Sequence, residues 1–446
     1  MKENTIVPNR SFVLSISFIS ALGGYLFGFD FAVIAGALPF LKDKFNLNEY
    51  WEGFATASLA LGCIIGCLSA GKIADRWGRR PGLLISAGLF FISSLAMAFS
   101  STRDFFIFSR FVAGIGVGMA SMLSPLYIAE IAPASVRGRM VAINQLTIVL
   151  GILVTNIVNY TLSDNGDQAW RWMFGLGAIP SGLFFLGSLW LPESPRWLLK
   201  SNQIEKARLI FNRIGGAIYA NEMTANSNDT TPKVTTTSYR ALLEKNVFPA
   251  VVIGIGLAVF QQLCGINVVF NFTTTIFESV GFSTDDQLRQ TIFIGIINVL
   301  FTVLAMWLVD KLGRKPLMLF GSLGLAVLYV ISAVLLQQKS ALATWALLAA
   351  IGTYAISLAP VTWVLISEIF PTKVRGMAIS ISVLALWVSY AILVFTFPII
   401  ASKMGAFTPF YFYAAICFLG FWFVKHKVKE TKGKSLEDIE SAFTGH

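Results

Sequence analysis

Twelve long stretches of this chain carry almost no charge, and that limits its possible folds more than any other feature. Windows free of Asp, Glu, Lys and Arg run over 53–71, 81–102, 111–129, 140–163, 172–192, 246–277, 290–309, 316–338, 340–367, 377–402 and 404–424. A further stretch, 11–41, is broken only by Asp30, and the 111–129 window extends back past Arg110. A membrane-crossing helix needs about 20 mostly apolar residues at about 1.5 Å each. Inside hydrocarbon the backbone must satisfy its own hydrogen bonds, which leaves helices as the fitting form. The expectation is an all-α integral membrane protein with twelve transmembrane helices. With 55% hydrophobic and only 13% charged residues, a soluble enzyme and a disordered chain are excluded. The four cysteines all lie in apolar stretches and form no disulfide framework.

The net charge of +10 could suggest a nucleic-acid partner, so its placement decides the matter. Grouping alternate loops puts 26 of the 34 Lys and Arg residues on the side that carries both termini. That asymmetry is a membrane-topology signal. It assigns both termini to the cytoplasm of a multi-pass cell-membrane protein and argues against a nucleic-acid footprint.

Two motifs recur at nearly one offset. Asp75-Arg-Trp-Gly78-Arg79-Arg80-Pro81 returns as Asp310-Lys-Leu-Gly313-Arg314-Lys315-Pro316, and Glu130-Ile-Ala-Pro133 through Arg137-Gly138 returns as Glu368-Ile-Phe-Pro371 through Arg375-Gly376. The offset holds six spans, an even number, so both copies face one side. Two six-helix halves follow, an arrangement used by transporters that rock about a midplane site. The boundaries read as 1–192 for the first half and 247–427 for the second. Between them, 193–246 combines a short amphipathic helix around 203–214 with a polar linker at 226–238. A charged tail occupies 428–446.

Together with these paired motifs, Pro192-Glu-Ser-Pro-Arg-Trp197, Gln261-Gln262-Leu-Cys-Gly265-Ile-Asn267 and Glu430-Thr-Lys-Gly-Lys434 resemble the sugar porter family of the major facilitator superfamily. The stretch Ala120–Pro133 is similar to that of bacterial D-xylose–proton symporters. The resemblance covers nearly the whole chain. It implies a secondary active transporter that moves a monosaccharide with a proton by alternating access, without a cofactor or a metal. Nothing in the sequence requires more than a monomer in the bilayer.

Charged residues within spans are functional candidates by default. Asp30 lies in the outer half of span one, and Arg110 sits about two turns into span four at comparable depth. A neighbouring guanidinium favours the carboxylate and burial favours the neutral acid, so such an Asp can exchange a proton. A static ion pair is the bland alternative. The resemblance implies that Asp30 and Arg110 form the proton-coupling pair, since passive relatives usually carry Asn at the Asp30 position.

A neutral sugar presents hydroxyls that both donate and accept, which Gln and Asn amides match without a charge to desolvate. The resemblance implies sugar contacts from Gln145, Gln261, Gln262, Asn267, Asn298 and Trp363. The alternative is interhelical hydrogen bonding, strongest as a rival for the isolated Asn298. On an ideal helix Gln262 and Asn267 point about 140° apart, so a shared pocket requires a break near Gly265. The family's two Tyr after this Asn are Asn271 and Phe272 here. Asn271, one turn past Asn267, is the candidate to replace a missing amide, because the polar residue before Trp387 is Leu386. These departures leave the identity of the sugar open. Phe27 and Trp387 are candidate apolar walls, with a lipid-facing or helix-facing aromatic as the alternative for Trp387.

The loop motifs place Asp75, Arg79, Arg80, Glu130, Arg137, Glu193 and Arg196 near one mouth of the first half, and Asp310, Arg314, Glu368, Arg375 and Glu430 near that of the second. The expectation is a cytosolic gate of ion pairs that biases two states. Gly62/Gly66 and Gly114/Gly118 have the spacing of close helix packing. Four other functions compete. A passive sugar uniporter is opposed by Asp30. A membrane enzyme would need a nucleophile–base pair or metal cluster, yet both histidines, His426 and His446, lie outside the spans. A non-transporting sugar receptor would need a large output segment. A carrier of organic ions would need a charged cavity.

Overall fold

The computed structural model describes residues 9–229, 239–371 and 374–432. The polar linker and the charged tail fall largely on 230–238 and 433–446, outside the described residues, as does the side chain of Asp310. Eighteen α-helices and no strand occur among the described residues. The first half comprises α1 (Arg10–Phe45), α2 (Glu49–Trp77), α3 (Arg79–Ala98), α4 (Arg103–Ile131), α5 (Ala134–Leu162), α6 (Ala169–Gly175) and α7 (Ala178–Trp190). Two helices follow outside the spans, α8 (Pro195–Lys200) and α9 (Ile204–Asp229). The second half comprises α10 (Phe248–Leu263), α11 (Ile266–Asn271), α12 (Thr273–Glu278), α13 (Thr284–Leu312), α14 (Arg314–Gln337), α15 (Ala343–Ile356), α16 (Leu358–Glu368), α17 (Arg375–Met404) and α18 (Thr408–Lys427).

Eleven continuous helical segments are long and apolar enough to cross a membrane, and one of them, Ser135–Trp190, runs for 56 residues. At about 1.5 Å per residue that is far longer than a bilayer is thick. A short 3-10 stretch at Ser163–Gln168 with Gly166 at φ 66° breaks it. It therefore crosses twice, giving twelve spans. α6 with α7, α10 to α12, and α15 with α16 each make one crossing from several pieces.

Side-chain caps start the helices where the sequence offers them. Asn9 Oδ1 accepts the Phe12 amide at 3.2 Å and Asn48 Oδ1 that of Trp51 at 3.0 Å. The glycine spacing in α2 and α4 serves close packing. A Cβ on Gly62 would run into the Phe111 carbonyl, and one on Gly114 into that of Leu59. Only hydrogen lets the two backbones meet. In α9 the buried Ala207, Ile210, Phe211 and Ile214 share one side, and the Asn9 amide donates to the Ile214 carbonyl at 2.7 Å. Its amphipathic start is thus packed against the beginning of α1.

Call the side that carries residues 9 and 432 the terminal face, and the other the far face. The halves touch near the far face and the midplane. Thr274 Oγ1 donates to the Ala35 carbonyl at 2.9 Å and Thr275 Oγ1 to Glu52 Oε1 at 3.2 Å. Asn156 Nδ2 donates to the Thr291 carbonyl at 2.7 Å. The Tyr50 and Phe395 rings meet edge-on at 5.3 Å, and the Phe395 backbone rests on Gly53. At the terminal face, Gly71, Gly138 and Gly376 have open space where a side chain would be.

Candidate substrate site and coupling pair

The amides of α10 and α11 form one hydrogen-bonded string. Gly265 separates the two helices at φ 88°, ψ −4°, a left-handed conformation that glycine adopts without a Cβ penalty. That break rotates Asn267 onto the side of Gln262, and its Nδ2 donates to Gln262 Oε1 at 2.5 Å. Gln262 Nε2 donates to Gln261 Oε1 at 2.6 Å, and Gln261 Nε2 to the Tyr354 hydroxyl on α15 at 2.5 Å. One turn on, Asn271 Nδ2 donates to the Asn267 carbonyl at 2.6 Å, and Asn271 Oδ1 accepts from the Tyr390 hydroxyl on α17 at 3.2 Å. The break at Gly265 is the one that a pocket shared by Gln262 and Asn267 requires.

An aromatic cluster borders the end of this string. Phe27 lies 4.8 Å from Phe31 and edge-on to Trp387 at 5.8 Å. Phe31 stacks on Tyr390 at 5.1 Å with 21° between the rings, and Trp387 meets Tyr390 at 5.8 Å. Trp387 is only 3% exposed, so it faces neighbouring helices and not lipid. Phe272, the other position where the family has Tyr, packs on Phe397 at 4.9 Å and leaves the polar string to Asn271.

The remaining candidates stand in different places. Gln145 on α5 is half-buried and Asn298 on α13 is buried, and neither side chain has a protein hydrogen-bond partner among the described residues. Trp363 on α16 is 43% exposed and joins neither the string nor the aromatic cluster. Tyr354 and Tyr390 escaped the sequence reading. For Tyr390 a signal existed, because it follows Trp387 by three residues and so shares its helix face.

Asp30 and Arg110 form an ion pair between α1 and α4, with Arg110 Nη1 3.3 Å from Asp30 Oδ1 and both side chains fully buried. The guanidinium lies 5.6 Å from the Phe174 ring centre. Asp30 Oδ2 and Arg110 Nε and Nη2 have no hydrogen-bond partner among the described residues. Removing two charges from water costs several kcal/mol per ion, and a single-contact pair offsets that only in part.

At the terminal face the paired motifs build the same device twice. Gly78, at φ 104°, ends α2 and starts α3; Gly313, at φ 94°, ends α13 and starts α14. The Glu193 carboxylate accepts the amides of Arg79 at 2.8 Å and Arg80 at 3.3 Å. Glu430 accepts those of Arg314 at 3.0 Å and Lys315 at 2.9 Å. Each carboxylate thus sits at a helix N-terminus, where free N–H groups favour an anion. A Cβ at either glycine would collide with the carboxylate. The two acids are 237 residues apart in sequence, between the offsets of 235 and 238 that separate the two repeated motifs. Their surroundings differ in effect. Burial pushes the Glu193 carboxyl above its usual range despite its backbone donors. For Glu430 burial also acts upward, but four backbone amides outweigh it and hold the carboxyl below its usual range.

Among the described residues, the arginine contacts of this face each lie within one half. Arg79 binds Glu130 through two nitrogens at 2.9 Å each and lies 3.5 Å from Asp75. Arg314 Nη2 lies 3.5 Å from Glu368 Oε1. Arg137 Nε donates to the Ala132 carbonyl at 3.4 Å, and Arg375 Nε to that of Phe370 at 3.1 Å. Burial and the like charge of Arg196 hold the Arg137 guanidinium below its usual range. Among the described residues these contacts organise each half by itself.

Known proteins resemble this chain over nearly its whole length. The "Sugar (and other) transporter" family profile matches residues 16–443. The D-xylose-proton symporter of Escherichia coli (strain K12) is 39% identical over 473 aligned positions, covering 97% of this chain and 96% of its own. The D-xylose transporter of Levilactobacillus brevis is 39% identical, covering 96% of this chain and 94% of its own. An inward-open structure of the xylose transporter XylE from E. coli superposes with a TM-score of 0.86 at 36% identity, covering 97% of this chain and 100% of that one. A match over nearly the full length, joined to two six-helix halves around a buried amide string, makes the chain a member of the sugar (and other) transporter family.

Proposed function

We propose that the protein carries a monosaccharide, a pentose or a hexose, together with a proton by alternating access. The observation that carries this reading is the nearness of two buried systems. The neutral amide string suits a polyhydroxylated, uncharged ligand. The Asp30–Arg110 pair, with a carboxylate oxygen unmatched by any described residue, suits a proton. The Phe31–Tyr390 stack joins their surroundings. Phe27 and Trp387 supply the apolar wall against which a sugar's C–H face can rest.

The positive-inside bias of the loops puts the terminal face in the cytoplasm. The contacts among α1, α2, α12, α13 and α17 near the far face then describe an inward-facing state, and 193–246 forms a cytosolic segment between halves bounded at 1–192 and 247–427. The matched acids and bases at the terminal face close that side in the outward-facing state. Uptake in proteoliposomes tests the reading, with a panel of aldopentoses and aldohexoses and with or without a proton gradient. Sugar-dependent alkalinisation of the outer medium is expected. Sugar flux without proton movement would leave a passive uniporter, and no flux with any sugar would overturn the proposal.

A further inference from the structure

The amide string ends where the two halves meet. Tyr390 is 1% exposed. Its hydroxyl reaches Asn271, in its own half, while its ring stacks on Phe31 of α1 in the other half. Phe31 directly follows Asp30, so the Tyr390 ring packs on the residue next to the one that bears the carboxylate. One residue therefore touches the sugar-facing amides and the segment that bears the titrating group.

We propose that Tyr390 is the positioning residue that links occupancy of the sugar site to the Asp30–Arg110 pair. The inference rests on the sugar–proton symport proposed above. The hydroxyl's bond to Asn271, at 3.2 Å, is long for an O–H···O contact. A sugar hydroxyl that claims the Asn271 carbonyl oxygen displaces it readily. The phenol is then a buried donor without an acceptor, which is costly, and its ring must settle differently on Phe31. Sugar-bound and empty states thus differ in the α17–α1 contact, which supplies the differential interaction that coupling between two sites demands. Tyr390 moves no proton itself.

The test uses the full chain in proteoliposomes, with D-xylose and D-glucose as probes. Tyr390→Phe keeps the ring stacked on Phe31 and removes only the hydroxyl. Counterflow should stay within about threefold of the native protein, the scale of one weak hydrogen bond, while gradient-driven accumulation and protons moved per sugar fall much further. Phe31→Leu retains the Tyr390–Asn271 bond and removes the stack. It should uncouple in the same selective way, and it carries the test if Tyr390→Phe does not run as a single species in size-exclusion chromatography. Native accumulation in either folded variant, or loss of accumulation only in step with counterflow, overturns the inference. A native protein that moves sugar without protons overturns the parent reading, and this inference with it.

Discussion

The Glu430 carboxylate accepts the backbone amide of Arg314 at 3.0 Å across the start of α14, and Glu193 holds Arg79 in the same way at α3. The two sites share a design, and their carboxyl pKa values move in opposite directions. Glu430 has a depressed pKa in the fold, so it contributes stability above the ordinary carboxylate range, and that contribution fades as pH falls through its folded value. Glu193 has a raised pKa, so the fold is favoured by its protonated form and loses that contribution as pH rises through its folded value. Glu430→Gln should lower the melting temperature in detergent at pH 7.5, with the difference shrinking toward pH 4. Glu193→Gln should cost less at pH 7.5 than Glu430→Gln does. Equal losses for both variants across this range would contradict the assignment.

Asp30→Asn removes the titrating group and leaves an uncharged side chain of the same shape beside Arg110. Sugar exchange should persist, while accumulation against a gradient falls to an inside-to-outside ratio of about one, since without a proton the carrier only equilibrates. Proteoliposome accumulation measures this, and undiminished uphill uptake would remove Asp30 from the coupling step.

Gln262 both donates to Gln261 and accepts from Asn267. Gln262→Ala strands two buried amide groups and takes a group from the ligand. The loss of about 1–3 kcal/mol expected for such unmatched groups corresponds to a rise of roughly fivefold to a hundredfold in the half-saturation concentration. Equilibrium sugar binding by the purified protein checks it.

Gly265→Ala tests the helix break. Its φ of 88° disfavours a side chain, and a Cβ there would collide with the Tyr413 ring. A cost of about 1–3 kcal/mol for strained backbone should lower the melting temperature, and a straightened α10–α11 would also separate Gln262 from Asn267. Sugar affinity should therefore fall along with stability.

Glu52 ties the halves at the far face, accepting from Thr275 and pairing with Lys42 at 3.3 Å. Lys42 in turn lies 3.9 Å from Glu278 of the second half. Glu52→Ala should shift the population away from the state closed on the far face. Arg137→Ala or Arg375→Ala should shift it the opposite way. Labelling of a Gly71→Cys reporter at the open terminal face should slow with the first change and quicken with the second. The four native cysteines are buried and add little background.

Some of this protein is legible in its sequence because the determining physics is local. Bilayer thickness sets a length, and each apolar window satisfies it without reference to any other. The repeated Gly-Arg motifs declare two halves because each encodes its own helix junction. Asp30 and Arg110 stand out because charge is expensive in an apolar span wherever its partner lies. The tertiary structure decided what depends on distant pairs. Asn271 and Tyr390 are 119 residues apart, and no helical periodicity relates them. Trp387 could have faced lipid or protein, and only packing against Phe27 turned it inward. Glu193 and Glu430 lie in dissimilar segments, and their equivalence appears once both are seen at a helix N-terminus. The side on which the halves close belongs to neither half alone: it is a balance of contacts between them, and such contacts exist only in the folded molecule.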